Sequence, residues 1–137
     1  GTLTGIGEVL KEKNPDVKVV GVQPTPESFQ TPENPDQEEI TGVHPFENTE
    51  ERFIPVNLDR NIYDEWYEVS TLQAYKAAQA VAKKDGILIG ASSGAALHVA
   101  TELAKKPENK GKKIVTLFAD TGLRYLSTSL YDENYQG

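Results

Sequence analysis

Apolar residues at Leu3, Ile6, Val9 and Leu10 recur at helical spacing among Glu8, Lys11, Glu12 and Lys13, which predicts a helix over residues 3–13 that Asn14-Pro15 stops. Gly5 and Gly7 each cost such a helix ~1 kcal/mol, so something is expected to pack closely on its first turn, either a ligand or another backbone. Val17 to Val22 is short and β-branched, a strand that should end at Gln23-Pro24. Between residues 23 and 57 the periodicity lapses: Pro24, Pro26, Pro32, Pro35, Pro45 and Pro55 fall among Glu, Asp, Asn and Thr. A connection of this length is usually functional or mobile. Its Gly42-Val43-His44-Pro45-Phe46 turn is either a substrate-facing lid or an inert surface excursion. Asp64 to Val69 is a second short strand carrying Trp66 and Tyr67. Ser70 and Gln73 form a capping box for a helix whose buried face is Ala74, Ala77, Ala78 and Val81, and which ends at Lys83-Lys84-Asp85-Gly86.

Ile87 to Gly90 predicts a parallel strand buried on both faces, leading into Ser92, Ser93 and Gly94. Either serine can cap the next helix, and Gly94 admits a close approach by backbone or ligand. That helix runs to about Lys106 on a stripe of Ala96, Val99, Ala100 and Leu103. His98 lies off the stripe beside Glu102 and reads as a solvated surface histidine, not a catalyst. Lys113 to Ala119 predicts a second buried strand, followed by Asp120-Thr121-Gly122, a helical segment over 123–130 and a polar tail with tyrosines. Alternating helices and strands define an α/β class with a mostly parallel sheet flanked by helices. Ligands of such sheets gather at the carboxyl ends of strands. Both polar turns fall there, and both suit a polar or anionic small molecule.

Composition narrows the partners. The 14 basic and 21 acidic residues of this 137-residue chain give a net charge of −7, which argues against nucleic acid and anionic membrane surfaces. With no cysteine there is neither a disulfide nor a thiolate metal site, and no metal centre is expected. No apolar run approaches the ~20 residues that span a bilayer. The expectation is a soluble, cytoplasmic chain. It lacks methionine and opens on Gly1-Thr2-Leu3-Thr4-Gly5, so it is expected to be a piece of a longer protein or a processed product.

Three motifs in order carry a resemblance: Gly1-Thr2-Leu3-Thr4-Gly5, Gly90-Ala91-Ser92-Ser93-Gly94-Ala95 and Asp120-Thr121-Gly122-Leu123-Arg124-Tyr125-Leu126-Ser127-Thr128. Together with Lys11 to Val22 and Phe53 to Arg60, they resemble the cysteine synthase and cystathionine β-synthase family of pyridoxal-phosphate enzymes over nearly the whole chain. The resemblance implies the C-terminal domain portion of a fold-type II (tryptophan synthase β-like) enzyme, with residues 1–137 a single incomplete α/β domain and 23–57 a Pro-rich excursion. By the same resemblance, Gly1 and Thr2 end the phosphate cup, Ser92 meets the pyridine nitrogen of pyridoxal 5'-phosphate, and Gly42 belongs to the turn that moves over the substrate. A neutral hydroxyl at the ring nitrogen favours elimination and replacement at the β-carbon. The family's Schiff-base lysine lies upstream of anything present here, so no catalytic residue is expected in this chain and the piece alone should be inactive.

The implied reaction makes L-cysteine from O-acetylserine, or a similarly activated serine, and a sulfur nucleophile. The implied partners are the amino-acid substrate, the sulfur donor, the missing N-terminal half, a second subunit in a homodimer and the C-terminal peptide of serine acetyltransferase. Cystathionine β-synthase, a serine or threonine dehydratase, threonine synthase and a non-catalytic binding module stand as alternatives. Arg124 to Thr128 favours the cysteine synthase branch.

Overall fold

The computed structural model describes residues 1–137. Helix α1 (Thr2–Lys13) leads to strand β1 (Val20–Pro24), and after the long excursion come strand β2 (Glu65–Val69) and helices α2 (Thr71–Asp85) and α3 (Ala91–Lys105). β1 and β2 pair in parallel, with Val20 opposite Glu65 and Pro24 opposite Val69. The first strand therefore starts later than its β-branched run and continues through Gln23-Pro24. Asp64 accounts for the late start, because its Oδ2 accepts the Val19 N–H at 2.7 Å before the ladder begins. Pro24 is tolerated as the terminal ladder residue.

The capping box of α2 is formed as expected: Ser70 Oγ accepts the Gln73 N–H, and Gln73 Oε1 accepts the Ser70 N–H. At the other end Gly86 takes the left-handed conformation, φ 69°. Helices α2 and α3 pack against each other so closely that a Cβ on Gly94 would lie 2.3 Å from the Ala74 carbonyl oxygen. Val69, Ala74, Ala78, Ile89, Ala95, Val99 and Leu130 form the core between them, with Ile40 arriving from the excursion. Tyr75 is also buried, stacked at 5.0 Å on Tyr135, and its hydroxyl donates to Glu38 at 2.9 Å. Burial and that carboxylate both push the Tyr75 phenol up.

Four expectations are corrected. Residues 87–90 and 113–119 are extended, but they are not buried strands: Ile89 is buried and makes a single antiparallel bridge to Thr121, while Ile87, Leu88, Ile114, Val115, Leu117 and Phe118 are exposed. A strand buried on both faces needs neighbours on each side, and no other segment of the chain lies beside these. The predicted helix over 123–130 is two 3₁₀ turns, Gly122–Tyr125 and Ser129–Tyr131, each capped by a threonine hydroxyl, Thr121 and Thr128. Neither serine caps α3; Gly90 is its N-cap residue, and no side chain bonds there. The close packing expected on α1 occurs at Gly7, whose Cβ would fall 2.6 Å from Ile62, whereas Gly5 faces open space. The helical stripe of Ile6, Val9 and Leu10 is exposed.

Candidate functional site

The turn into α3 is built around a carboxylate. Asp120 Oδ1 accepts the Ser93 hydroxyl at 2.7 Å, and Oδ2 accepts the Tyr125 hydroxyl at 2.9 Å. Ser92 is half-buried, and its Oγ stands 3.5 Å from the same Oδ1. A Cβ on Gly90 would lie 2.1 Å from Asp120 Oδ2, so only glycine lets the carboxylate rest there. Burial, then the bond to Asp120, raises the Tyr125 phenol above its ordinary value.

The C-terminal signature holds the preceding strand in place. Gly122 N–H donates to the Leu88 carbonyl at 3.0 Å. The Tyr131 hydroxyl accepts the Ile89 N–H at 3.1 Å and donates to the Ile89 carbonyl at 2.7 Å, taking both bonds that a ladder neighbour would make. Gly122 must be small, since its Cβ would fall 2.6 Å from that hydroxyl.

Gly42 comes to the same place from the excursion. At φ 88° it needs the freedom of glycine, and its Cβ position is 3.8 Å from Ser92 Cβ. Beside it opens a cavity of about 100 Å³ lined by Phe29, Ile40, Val43 and Phe53 with Gln30, Glu39 and His44. Gln23, buried at the end of β1, anchors the turn: its Oε1 accepts the N–H groups of Phe46 at 3.0 Å and Glu47 at 2.8 Å, and its Nε2 donates to the Glu47 carbonyl and to Glu68. Phe46 packs over Gly21 and on Tyr63, ring centroids 5.0 Å apart. The Tyr63 hydroxyl donates to Glu47, and burial together with that carboxylate pushes the phenol up to about 12.

Of the sequence-predicted residues, Ser92 and Gly42 are thus brought together. Gly1 and Thr2 belong to a separate cluster at the head of α1. Gly1 is the N-cap residue, with Asn57 Nδ2 3.5 Å from its Cβ position, and Thr4 Oγ1 accepts the Asp59 N–H at 3.0 Å. No side chain caps α1, and no carboxylate stands in its first turn. His98 lines a wider, open hollow of about 530 Å³ with Tyr67, Glu102 and Lys106. That hollow shares no residue with the serine turn, and its larger volume does not make it the better site, since its walls are mixed charges already partnered, Lys105 with Glu102 and Lys106 with Tyr67. The residues that the sequence reading left without a role are Asp120, Ser93 and Tyr125. The polar turn after residue 119 marked the first of them, but nothing in the spacing shows that it folds back onto Gly90.

A half-buried hydroxyl at the head of a helix, under a glycine turn and beside a parallel sheet, is the setting of a bound cofactor ring, and the family profile described as pyridoxal-phosphate dependent enzyme matches residues 1–120. The chain belongs to that family. Within it, a cysteine synthase from Staphylococcus aureus is 39% identical over 131 residues, covering 96% of this chain and 40% of the relative. An O-acetylserine dependent cystathionine beta-synthase from Bacillus subtilis is 40% identical over 132 residues, with the same coverage. The crystal structure of a cysteine synthase from Entamoeba histolytica matches with a TM-score of 0.80 at 38% identity, covering 99% of this chain and 38% of that one. The chain spans about 40% of the length of the curated relatives it matches.

Proposed function

We propose that this chain supplies the ring-nitrogen side and the end of the phosphate cup of a pyridoxal-phosphate enzyme that makes L-cysteine by β-replacement on O-acetylserine. The observation that carries the reading is the Ser92 hydroxyl, set at the mouth of α3 with Gly42 against it. The residues fit the cofactor. A hydroxyl donates to a pyridine nitrogen without carrying charge, and the uncapped N–H groups at the head of α1, free of any neighbouring carboxylate, suit a phosphate dianion. When bound, the cofactor supplies an electron sink for the substrate α-carbon.

In the proposed reaction the α-carbon loses its proton and acetate leaves the β-carbon with the C–O bonding pair. The sulfur nucleophile then forms the C–S bond, and a proton returns to the α-carbon. Ser92 orients the ring by one neutral hydrogen bond, which keeps the nitrogen a modest electron sink and restrains side reactions at the α-carbon. The Gly42 turn and its cavity shield the acceptor side from water. The Schiff-base lysine and the grip on the substrate carboxylate come from a part of the protein outside these 137 residues, so the chain alone is inactive. A dimeric assembly, a cytoplasmic location and docking of the C-terminal peptide of serine acetyltransferase belong to the same reading.

The test is to supply the complete gene product, loaded with pyridoxal phosphate, with O-acetylserine and either sulfide or homocysteine. Cysteine as the main product supports the reading. Cystathionine as the main product replaces it by the second reading, cystathionine synthesis, which the 40% identity to the Bacillus subtilis enzyme favours as much as the 39% to the cysteine synthase favours the first. Turnover by the 137-residue chain with no other polypeptide present overturns the claim that it is inactive alone.

A further inference from the structure

We infer that Asp120 is a positioning residue for the Ser92 hydroxyl, and that Ser93 and Tyr125 occupy its two oxygens so that the single Ser92 proton is left for the ring nitrogen. The inference rests on the proposed cofactor site and goes beyond it, because it assigns roles to three residues that do not touch the ring.

A hydroxyl has one proton to donate. Two acceptors compete for the proton of Ser92: the ring nitrogen of the proposed cofactor, and Asp120 Oδ1, 3.5 Å away. A carboxylate is the stronger acceptor of the two, since hydrogen bonds to an ionised group are roughly twice as strong as neutral ones. It would win if it were free. It is not free: Ser93 donates to Oδ1 at 2.7 Å and Tyr125 to Oδ2 at 2.9 Å, both much closer than Ser92. Nor can the carboxylate be rearranged cheaply. Its three terminal atoms lie 2.1 to 2.4 Å from the Cβ position of Gly90, so it rests on that glycine's backbone, and Ser93 is itself 1% exposed. The carboxylate lies beside the first turn of α3, where the helix dipole favours negative charge. The three residues therefore hold an anion next to the ring partner without letting it take the partner's proton.

The rescue pattern tests this. In the complete gene product, Ser93→Ala frees Oδ1, with Ser92 the nearest remaining hydroxyl. Affinity for pyridoxal phosphate, measured by titrating the resolved protein, is expected to fall about tenfold, the order of one lost hydrogen bond, and the absorption band of the bound cofactor to shift. Adding Asp120→Asn to Ser93→Ala removes the anion that draws the proton away, and should restore affinity to within about threefold and the band to its original position. If Ser93→Ala fails to fold, Tyr125→Phe, which frees Oδ2 from a half-buried side chain, takes its place in the same pair of measurements. Wild-type affinity in the single variant overturns the inference, as does a double variant no better than the single one, because a packing defect is not cured by removing a charge. If the unaltered protein takes up no pyridoxal phosphate, the proposed function itself fails, and the inference falls with it.

Discussion

At Gly90 the space beside the Cα is filled by a carboxylate. Gly90→Ala would set a methyl 2.1 Å from Asp120 Oδ2, so either the Asp120 turn or the head of α3 must move. The expected cost is about 1–3 kcal/mol, in the range of overpacking, read from urea denaturation, together with loss of pyridoxal-phosphate binding in the complete protein. Gln23 carries a similar share of the excursion. Truncation to alanine leaves the N–H groups of Phe46 and Glu47 without their acceptor, and a buried unsatisfied group costs about 1–3 kcal/mol. Gln23→Ala should therefore lower stability by that order and expose the 44–50 segment to proteolysis, whereas Gln23→Glu keeps the acceptor and loses the donor to Glu68, so it should leave the two N–H bonds in place.

Elements were legible where a local rule decides them and illegible where a distant one does. The helix after Ser70 was readable because its box, alanine face and terminal glycine lie within one stretch of chain; Ser70→Ala should cost about 1 kcal/mol of stability, measured by thermal or urea unfolding. Residues 87–90 and 113–119 have the composition of buried strands, but pairing is a property of neighbours, and their only partners here are Thr121, Gly122 and the Tyr131 hydroxyl. The serine turn was found from Ser92 and Gly94, while the part of Asp120 was hidden because it depends on a contact across 27 residues. The tie between α1 and β2 was equally invisible. Lys11 Nζ meets the Asp64 carboxylate at 2.8 Å, and Asp64 also accepts from Val19. The Lys11 bond first, then the Val19 N–H, holds the Asp64 carboxyl below its ordinary value. A depressed carboxylate contributes stability that is full above its unfolded value and lost as pH falls through the folded one. Asp64→Asn should therefore destabilise the protein near neutrality and make little difference below pH ~3, as paired urea titrations at the two pH values would show.

Over the whole molecule, the apolar surface is distributed as if for contact. Val115 is 91% exposed, Leu117 53% and Val9 51%, on extended chain and on α1, and unpaired extended chain of this composition is a template for association. The 137-residue chain on its own is expected to self-associate at micromolar concentration in sedimentation runs, and the double change Val115→Lys, Leu117→Lys should reduce it. The phenol at position 131 has a separate consequence for anyone recombining these proteins. One oxygen near the end of the chain closes the loop of bonds around Ile89, and no aliphatic or carboxylate side chain can both give and take a hydrogen bond there. Chimaeras joined after Leu130, or purification handles fused in place of the last residues, would leave the serine turn without its clasp. The tail, which has the look of a dispensable end, is the part of the sequence least free to be exchanged.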